Sequence, residues 1–162
     1  MKTTALTLLA FGILAAGCAK DPRDQDFVTK AGQGGLAEVQ MGQVAATKGV
    51  ADDVKSFGQR MAADHSKAND ELKTIASTAG ATVPTEPSSD QRDMLAKFNK
   101  ESGADFDKAY AKAMVKDHKE DIDLFKKEAS SGQNADLRAF AQKTLSTLEE
   151  HLRLAEALKA NQ

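Results

Sequence analysis

Apolar residues recur along this chain at alternating steps of three and four, the spacing that lays one side of an α-helix against a core. The clearest run is Val54, Phe57, Met61, His65, Ala68, Leu72 and Ile75. A second is Phe106, Tyr110, Met114, His118, Ile122 and Phe125, and a third is Leu137, Phe140, Leu148, His151, Ala155 and Leu158. Strand signals are nearly absent while Ala, Lys, Leu, Glu and Gln dominate, so the expected fold class is all-α. Punctuation divides the pattern into elements. A first helix is expected from about Phe27 to Lys48, with Asp26 as cap and Gly49 as stop, and with Gly32, Gly34, Gly35 and Gly42 weakening its early part. A second runs from about Ala51 to Ala79, opening on Asp52 and Asp53, where acidic side chains suit the helix dipole, and closing at Gly80. Residues 80–88 hold Pro84 and Pro87 and read as a long connection. Ser88 to Gln91 resembles a capping box, which predicts a short helix to about Lys100 before Gly103 breaks it. A third long helix is expected over Ala104 to Ser131, and a fourth from Asn134 to about Lys159. Short links within each pair of long helices and a longer one between the pairs favour an antiparallel up-down four-helix bundle, with the short extra helix in the middle connection.

All three histidines of the chain fall on the apolar stripes, and turn arithmetic puts them at one height. The midpoint between Glu38 and His65 falls beside Gly49, and that between His118 and His151 falls beside Gly132 and Asn134. Across the middle connection, read as a hairpin, His65 stands as far before Ala79 as His118 stands after Ala104. An error of two or three residues in a turn moves a side chain by only roughly 3 to 4.5 Å. Helices two and three also echo each other, Met61-x-x-Asp64-His65 matching Met114-x-x-Asp117-His118.

Buried imidazoles need partners, since an unpaired polar group inside a core costs about 1 to 3 kcal/mol. A transition-metal ion is one partner: His65, His118 and His151 would supply neutral nitrogens, and Glu38, on the first helix, a fourth ligand that offsets charge. Such a set suits Zn, Cu, Ni or Fe. Asp64 and Asp117 lie about 100° round the helix from their neighbouring histidines, which makes them supporting groups or surface residues rather than ligands. Met61 and Met114 precede a histidine by one turn; thioethers there would favour Cu(I), whereas methionine also simply fills core space. The competing reading is a hydrogen-bonded layer of His65, His118, His151, Glu38 and Tyr110 that fixes helix register in a non-enzymatic structural or stress-related protein. Carboxylate-bridged di-metal chemistry is disfavoured, because the residues three before the histidines are Ala62, Val115 and Leu148. Gly32-Gln33-Gly34-Gly35 follows no strand, no Gly-x-Ser-x-Gly elbow occurs, and nothing in the chain points to turnover.

The first residues stand apart from this pattern. Lys2 is followed by an apolar run from Ala5 to Ala16, too short to span a bilayer, and by the small residues Ala15-Ala16-Gly17. Leu14-Ala15-Ala16-Gly17-Cys18 resembles a bacterial lipoprotein lipobox. The resemblance implies a signal peptide over 1–17, lipidation of Cys18 and a membrane as partner. Ala19 after the cysteine implies an outer-membrane lipoprotein facing the periplasm in a Gram-negative cell. The tether from Ala19 to Asp26 would keep the domain within roughly 29 Å of its anchor. With its one cysteine lipidated the chain forms no disulfide, and the expected domain, residues 27–160, must hold by helix packing or metal. With 22 basic and 24 acidic residues the chain is nearly neutral and carries no basic stripe, which argues against nucleic acid.

From about Phe27 to Leu158 the sequence resembles the bacterial domain-of-unknown-function family 4142, grouped with outer-membrane or exported proteins. The resemblance is carried by Glu38 in a Gly-rich first helix, Met61-x-x-Asp64-His65, Phe106-Asp107-x-x-Tyr110, Asp117-His118, and His151 in the last helix. It implies a ferritin-like bundle and brings no activity with it.

Overall fold

Five α-helices and no strand make up the described residues, 21–161, of a computed structural model: α1 Pro22–Lys48, α2 Asp52–Thr78, α3 Ser89–Lys100, α4 Gly103–Ser131 and α5 Ala135–Ala160. The signal-like segment, the lipobox and Cys18 lie outside the described residues. None of the described helices is long and apolar enough to cross a membrane.

The helix ends follow local chemistry. Asp21, not Asp26, caps α1, accepting the Arg23 N–H at 2.8 Å, and Pro22 occupies the first turn, where its missing N–H costs nothing. The helix therefore starts five residues before the sequence reading places it, and Asp26 instead pairs with Lys30 one turn on. At the end of α2, Gly80 takes φ 70° while Ala81 N–H returns to the Ala76 carbonyl at 2.8 Å and Gly80 N–H to that of Ser77 at 3.3 Å. This is the left-handed stop that glycine makes without strain. The Ser88/Gln91 capping box forms as expected, and Asn134 caps α5 through the N–H groups of Asp136 and Leu137.

Two hairpins, α1–α2 and α4–α5, pack side by side, and two buried aspartates tie them together. Asp107 on α4 accepts from Val50 N–H at 3.0 Å and Ala51 N–H at 2.8 Å, in the turn between α1 and α2. Asp24 on α1 accepts from Gln133 and Asn134 N–H, both at 2.8 Å, in the turn between α4 and α5. The starts of α2 and α4 therefore share one end of the bundle, so these two helices run parallel. The middle connection is not a hairpin. It runs back along α1: Thr82 exchanges two hydrogen bonds of 2.9 Å with the Gln25 side chain near the start of α1, and Lys48 near its end donates to the Phe98 and Asn99 carbonyls at 2.9 Å. The order is up-down-down-up rather than the alternating up-down order expected from sequence. A connection with a twelve-residue helix is long enough to span the bundle, and α3 buries Leu95 and Phe98 as it does so.

Within the first hairpin the helices touch backbone to backbone. A Cβ on Gly42 would come within 2.6 Å of the Gly58 carbonyl oxygen, and one on Gly58 within 2.7 Å of the Gly42 oxygen. The core falls into two apolar layers. One holds Met41, Val54, Phe57, Met61, Phe106, Tyr110, Met114 and Leu158. The other holds Phe27, Val28, Leu72, Phe125, Leu137, Phe140 and Leu148. Between them, at mid-height, lie Glu38, His65, His118 and His151, all buried.

Candidate metal centre

The three imidazoles come from α2, α4 and α5, each from a buried position of its helix, with ring centroids 5.3 to 5.7 Å apart. One ring nitrogen from each lies within 4.8 Å of one from each of the others. The common height expected from the turns is met, and all three rings face inward.

Hydrogen-bond partners assign the ring protons. His118 Nδ1 lies 3.0 Å from the Met114 carbonyl oxygen, which can only accept, so Nδ1 carries the hydrogen and Nε2 a lone pair. His151 Nε2 lies 2.9 Å from Asp64 Oδ2. Burial works against the charge on Asp64, but the His151 hydrogen bond and charge, with those of Arg60, outweigh it and hold the carboxyl below its usual range. An ionised Asp64 accepts, so His151 carries its proton on Nε2 and a lone pair on Nδ1. His65 Nδ1 lies 3.0 Å from Glu38 Oε2, and its Nε2 is buried with no hydrogen-bond partner. His118 Nε2 and His151 Nδ1 thus face each other at 3.4 Å with a lone pair on each. Two nitrogens bound to one tetrahedral ion at 2.0 to 2.1 Å stand about 3.4 Å apart.

Electrostatics keep the rings neutral. Burial pushes His118 down to about 3, helped by the charges His65 and His151 would carry, and pushes His65 down to about 4 against the pull of Asp121 and Asp64. His151 is lowered for the same first reason, with the Asp64 hydrogen bond opposing. Glu38 rises well above the usual carboxyl range through burial and then the charge of Asp117, while a hydrogen bond from Asp121 opposes the rise. Asp121 is raised by burial and then by Glu38. The two carboxyls sit together and share protons rather than charge.

Asp121 is the residue that sequence reasoning missed. It follows His118 by three positions and so occupies the same face one turn on, whereas the carboxylates of bridged di-metal bundles stand three residues before the histidine. Asn69, one turn after His65, was missed as well. Its amide fills the space left by Gly35, where any Cβ would collide with it. Glu38, His65, Asn69 and Asp121 line the polar side of a cavity of about 20 Å³, with Leu72, Phe125 and Leu148 among its apolar walls.

The other candidates take varied places. Asp64 orients His151 directly. Asp117 is half-buried, lifted to about 6 by burial first, and acts on Glu38 by its charge rather than by touching a histidine. Tyr110 lies in the apolar layer with its hydroxyl unpartnered, and Phe57 packs edge-on against both it and His151. Met61 and Met114 are fully buried core residues, and Met114 meets the site through its carbonyl oxygen. Glu38 Oε2 lies 3.0 Å from the outer nitrogen of His65, and its Oε1 3.6 Å from that of His118.

The sequence profile of a family described as Domain of unknown function (DUF4142) matches residues 14–158. No curated protein matches. Among solved structures, the crystal structure of a DUF305 fragment from Deinococcus radiodurans is similar to this chain. Its TM-score is 0.76 at 10% identity, over 88% of this chain and 99% of that one, a likeness of fold alone.

Proposed function

Since the chain belongs to the DUF4142 family, whose description assigns no activity, its role must come from its own site, and we propose that the bundle binds one transition-metal ion. His65, His118 and His151 are the ligands, through Nε2, Nε2 and Nδ1. Glu38, Asp64 and the Met114 carbonyl hold the outer nitrogens and so fix ring tautomer and orientation, as supporting groups do around bound metals. Glu38 thereby moves from the ligand shell suggested by sequence to the shell behind it. Zn, Cu, Ni and Fe all accept such nitrogens. The observation that carries the reading is His118 Nε2 and His151 Nδ1 facing each other at 3.4 Å in a buried core, each left with a lone pair by the partner of its outer nitrogen. Two lone pairs at that distance repel, and a cation between them turns the repulsion into two bonds.

The single long crossover and parallel α2 and α4 support a ferritin-like topology for this bundle. The lipobox-like segment supports a lipoprotein attached through Cys18 to the cell envelope, on the periplasmic face of the outer membrane in a Gram-negative cell. The role is binding, and no turnover is invoked.

Untagged protein beginning at Ala19, offered Zn, Cu, Ni and Fe in turn, is expected to retain about one equivalent of at least one of them. The His118→Leu variant, which keeps the bundle's helical signal, is expected to retain none. Less than about a tenth of an equivalent of every metal defeats the proposal, and a polar layer that only fixes register is then the better account.

A further inference from the structure

We propose that the seam between α2 and α5, at Ala68 and Thr144, is the entrance through which a metal ion reaches the three imidazoles. This rests on the metal reading above and adds the route. Ala68 and Thr144 line the inner cavity beside Glu38 and His65, and both also line a surface groove of about 130 Å³ whose rim includes Asp64, Glu71 and Lys143. Groove and cavity thus meet at the Ala68 methyl group and the Thr144 side chain, which border both. Both residues are partly exposed.

The other three seams are closed. α1 meets α2 at the reciprocal Gly42/Gly58 backbone contact. α4 and α5 pack closely as a hairpin pair, whereas α2 and α5 touch far less; α1 and α4 touch as sparingly, but α3 covers that seam. α3 lies over α1 and α4, and Gln91 and Asp121 both approach Gly34 there.

The path suits a small cation shedding water in stages. Outside, Asp64 and Glu71 offer carboxylate oxygens, although Lys67 and Lys143 offset their charge, so that size rather than attraction selects what enters. Lys143 bridges to both Glu71 oxygens at 2.9 Å across the seam. An exposed pair of this kind is weak and opens easily. Inside, the cavity takes about one water-sized guest, which excludes a fully hydrated or chelated ion. There Asp121, Asn69 and the unpartnered Glu38 Oε1 supply oxygens before the ion reaches the unpartnered His65 Nε2.

Uptake of Zn(II), Ni(II), Cu(II) or Fe(II), and release into a chromogenic chelator, tests the route in stopped flow on wild type, three single variants and one double variant. Ala68→Leu and Thr144→Leu are expected to slow both uptake and release by about tenfold or more. Equilibrium affinity should stay within about threefold, the scale of a surface change. Ala157→Leu, at the far end of the same seam, should exchange as wild type does. The double variant Glu71→Ala with Lys143→Ala, which removes the bridge across the seam, should exchange faster. Wild-type exchange rates in Ala68→Leu and Thr144→Leu, or no acceleration when the Glu71–Lys143 bridge is removed, overturn the route while the metal site stands. A wild-type protein that holds none of the four ions overturns the site itself, and the route with it.

Discussion

Replacing Asp64 by Ala tests whether ring tautomers, and not merely ring positions, make this site. In the wild type the Asp64 carboxylate, 2.9 Å from His151 Nε2, holds the proton there and leaves Nδ1 free for a metal. Without it, His151 can move its proton to Nδ1 and donate to His118 Nε2, already 3.4 Å away. The metal-free variant then gains a histidine–histidine hydrogen bond, and an incoming ion must break it. Loss of an orienting group behind a metal ligand weakens binding by about 10- to 100-fold, or about 1.4 to 2.7 kcal/mol, and the added tautomer change places this variant toward the upper end. The metal-free fold should hardly notice, because the accompanying Arg60–Asp64 pair at 3.4 Å is exposed and the lost and gained hydrogen bonds offset. A thermal midpoint within about 3 °C of wild type is expected without metal. Asp64→Asn, which keeps an acceptor oxygen, should fall between the two proteins in affinity. Competition titration against an indicator measures affinity, and nitrogen-15 shifts of the imidazoles report the tautomer. A wild-type His151 protonated on Nδ1, or an Asp64→Ala protein that binds metal as tightly as wild type, would refute the reasoning.

Two further outcomes concern the frame that holds the site. Asp107→Ala strands the Val50 and Ala51 N–H groups at the first turn, an expected loss of about 2 to 5 kcal/mol in urea unfolding, with Asp107→Asn losing less. Glu128 is raised to about 7, first by burial and then by the charge of Asp24, so the folded protein binds a proton that the unfolded chain releases above its ordinary value of 4.5. Stability contributed by that proton is present at low pH and falls as pH rises through 4.5 to 7. Glu128→Gln should therefore exceed wild type by about 1 to 2 kcal/mol at pH 8 after allowance for solvent screening, and by little at pH 5, in paired denaturation series.

Helix content and the inward histidines were legible because their signals are local: a three-and-four stripe, a capping box at Ser88, glycines past helix ends. Chain direction was not. Treating residues 80–103 as a hairpin gave the right height for His118 only because His65 lies equally far from Asp52 and Thr78, so that a parallel or an antiparallel neighbour would place its midpoint at the same level. The repeat of Met-x-x-Asp-His on α2 and α4 held the correct information, since matching order along two helices at one height is what a parallel pair shows, here across the bundle's diagonal. Asp121 could have been found from its spacing to His118, but its contact with Glu38 was hidden because no sequence spacing links α1 to α4. The early start of α1 was hidden because Asp21-Pro22 competes with Asp26 as a cap and only packing of the first turn decides between them.

The crossed aspartates have a consequence for any attempt to shorten this protein. Each hairpin holds the key to the other's turn: Asp107 arrives from the second half to finish the first, and Asp24 from the first half to finish the second. Residues 21–102 alone would keep two amide hydrogens facing a missing carboxylate, and residues 103–161 would keep two more. Neither half is a miniature of the whole, and a chain emerging from the ribosome cannot lock its first bend until the start of α4 has followed it out.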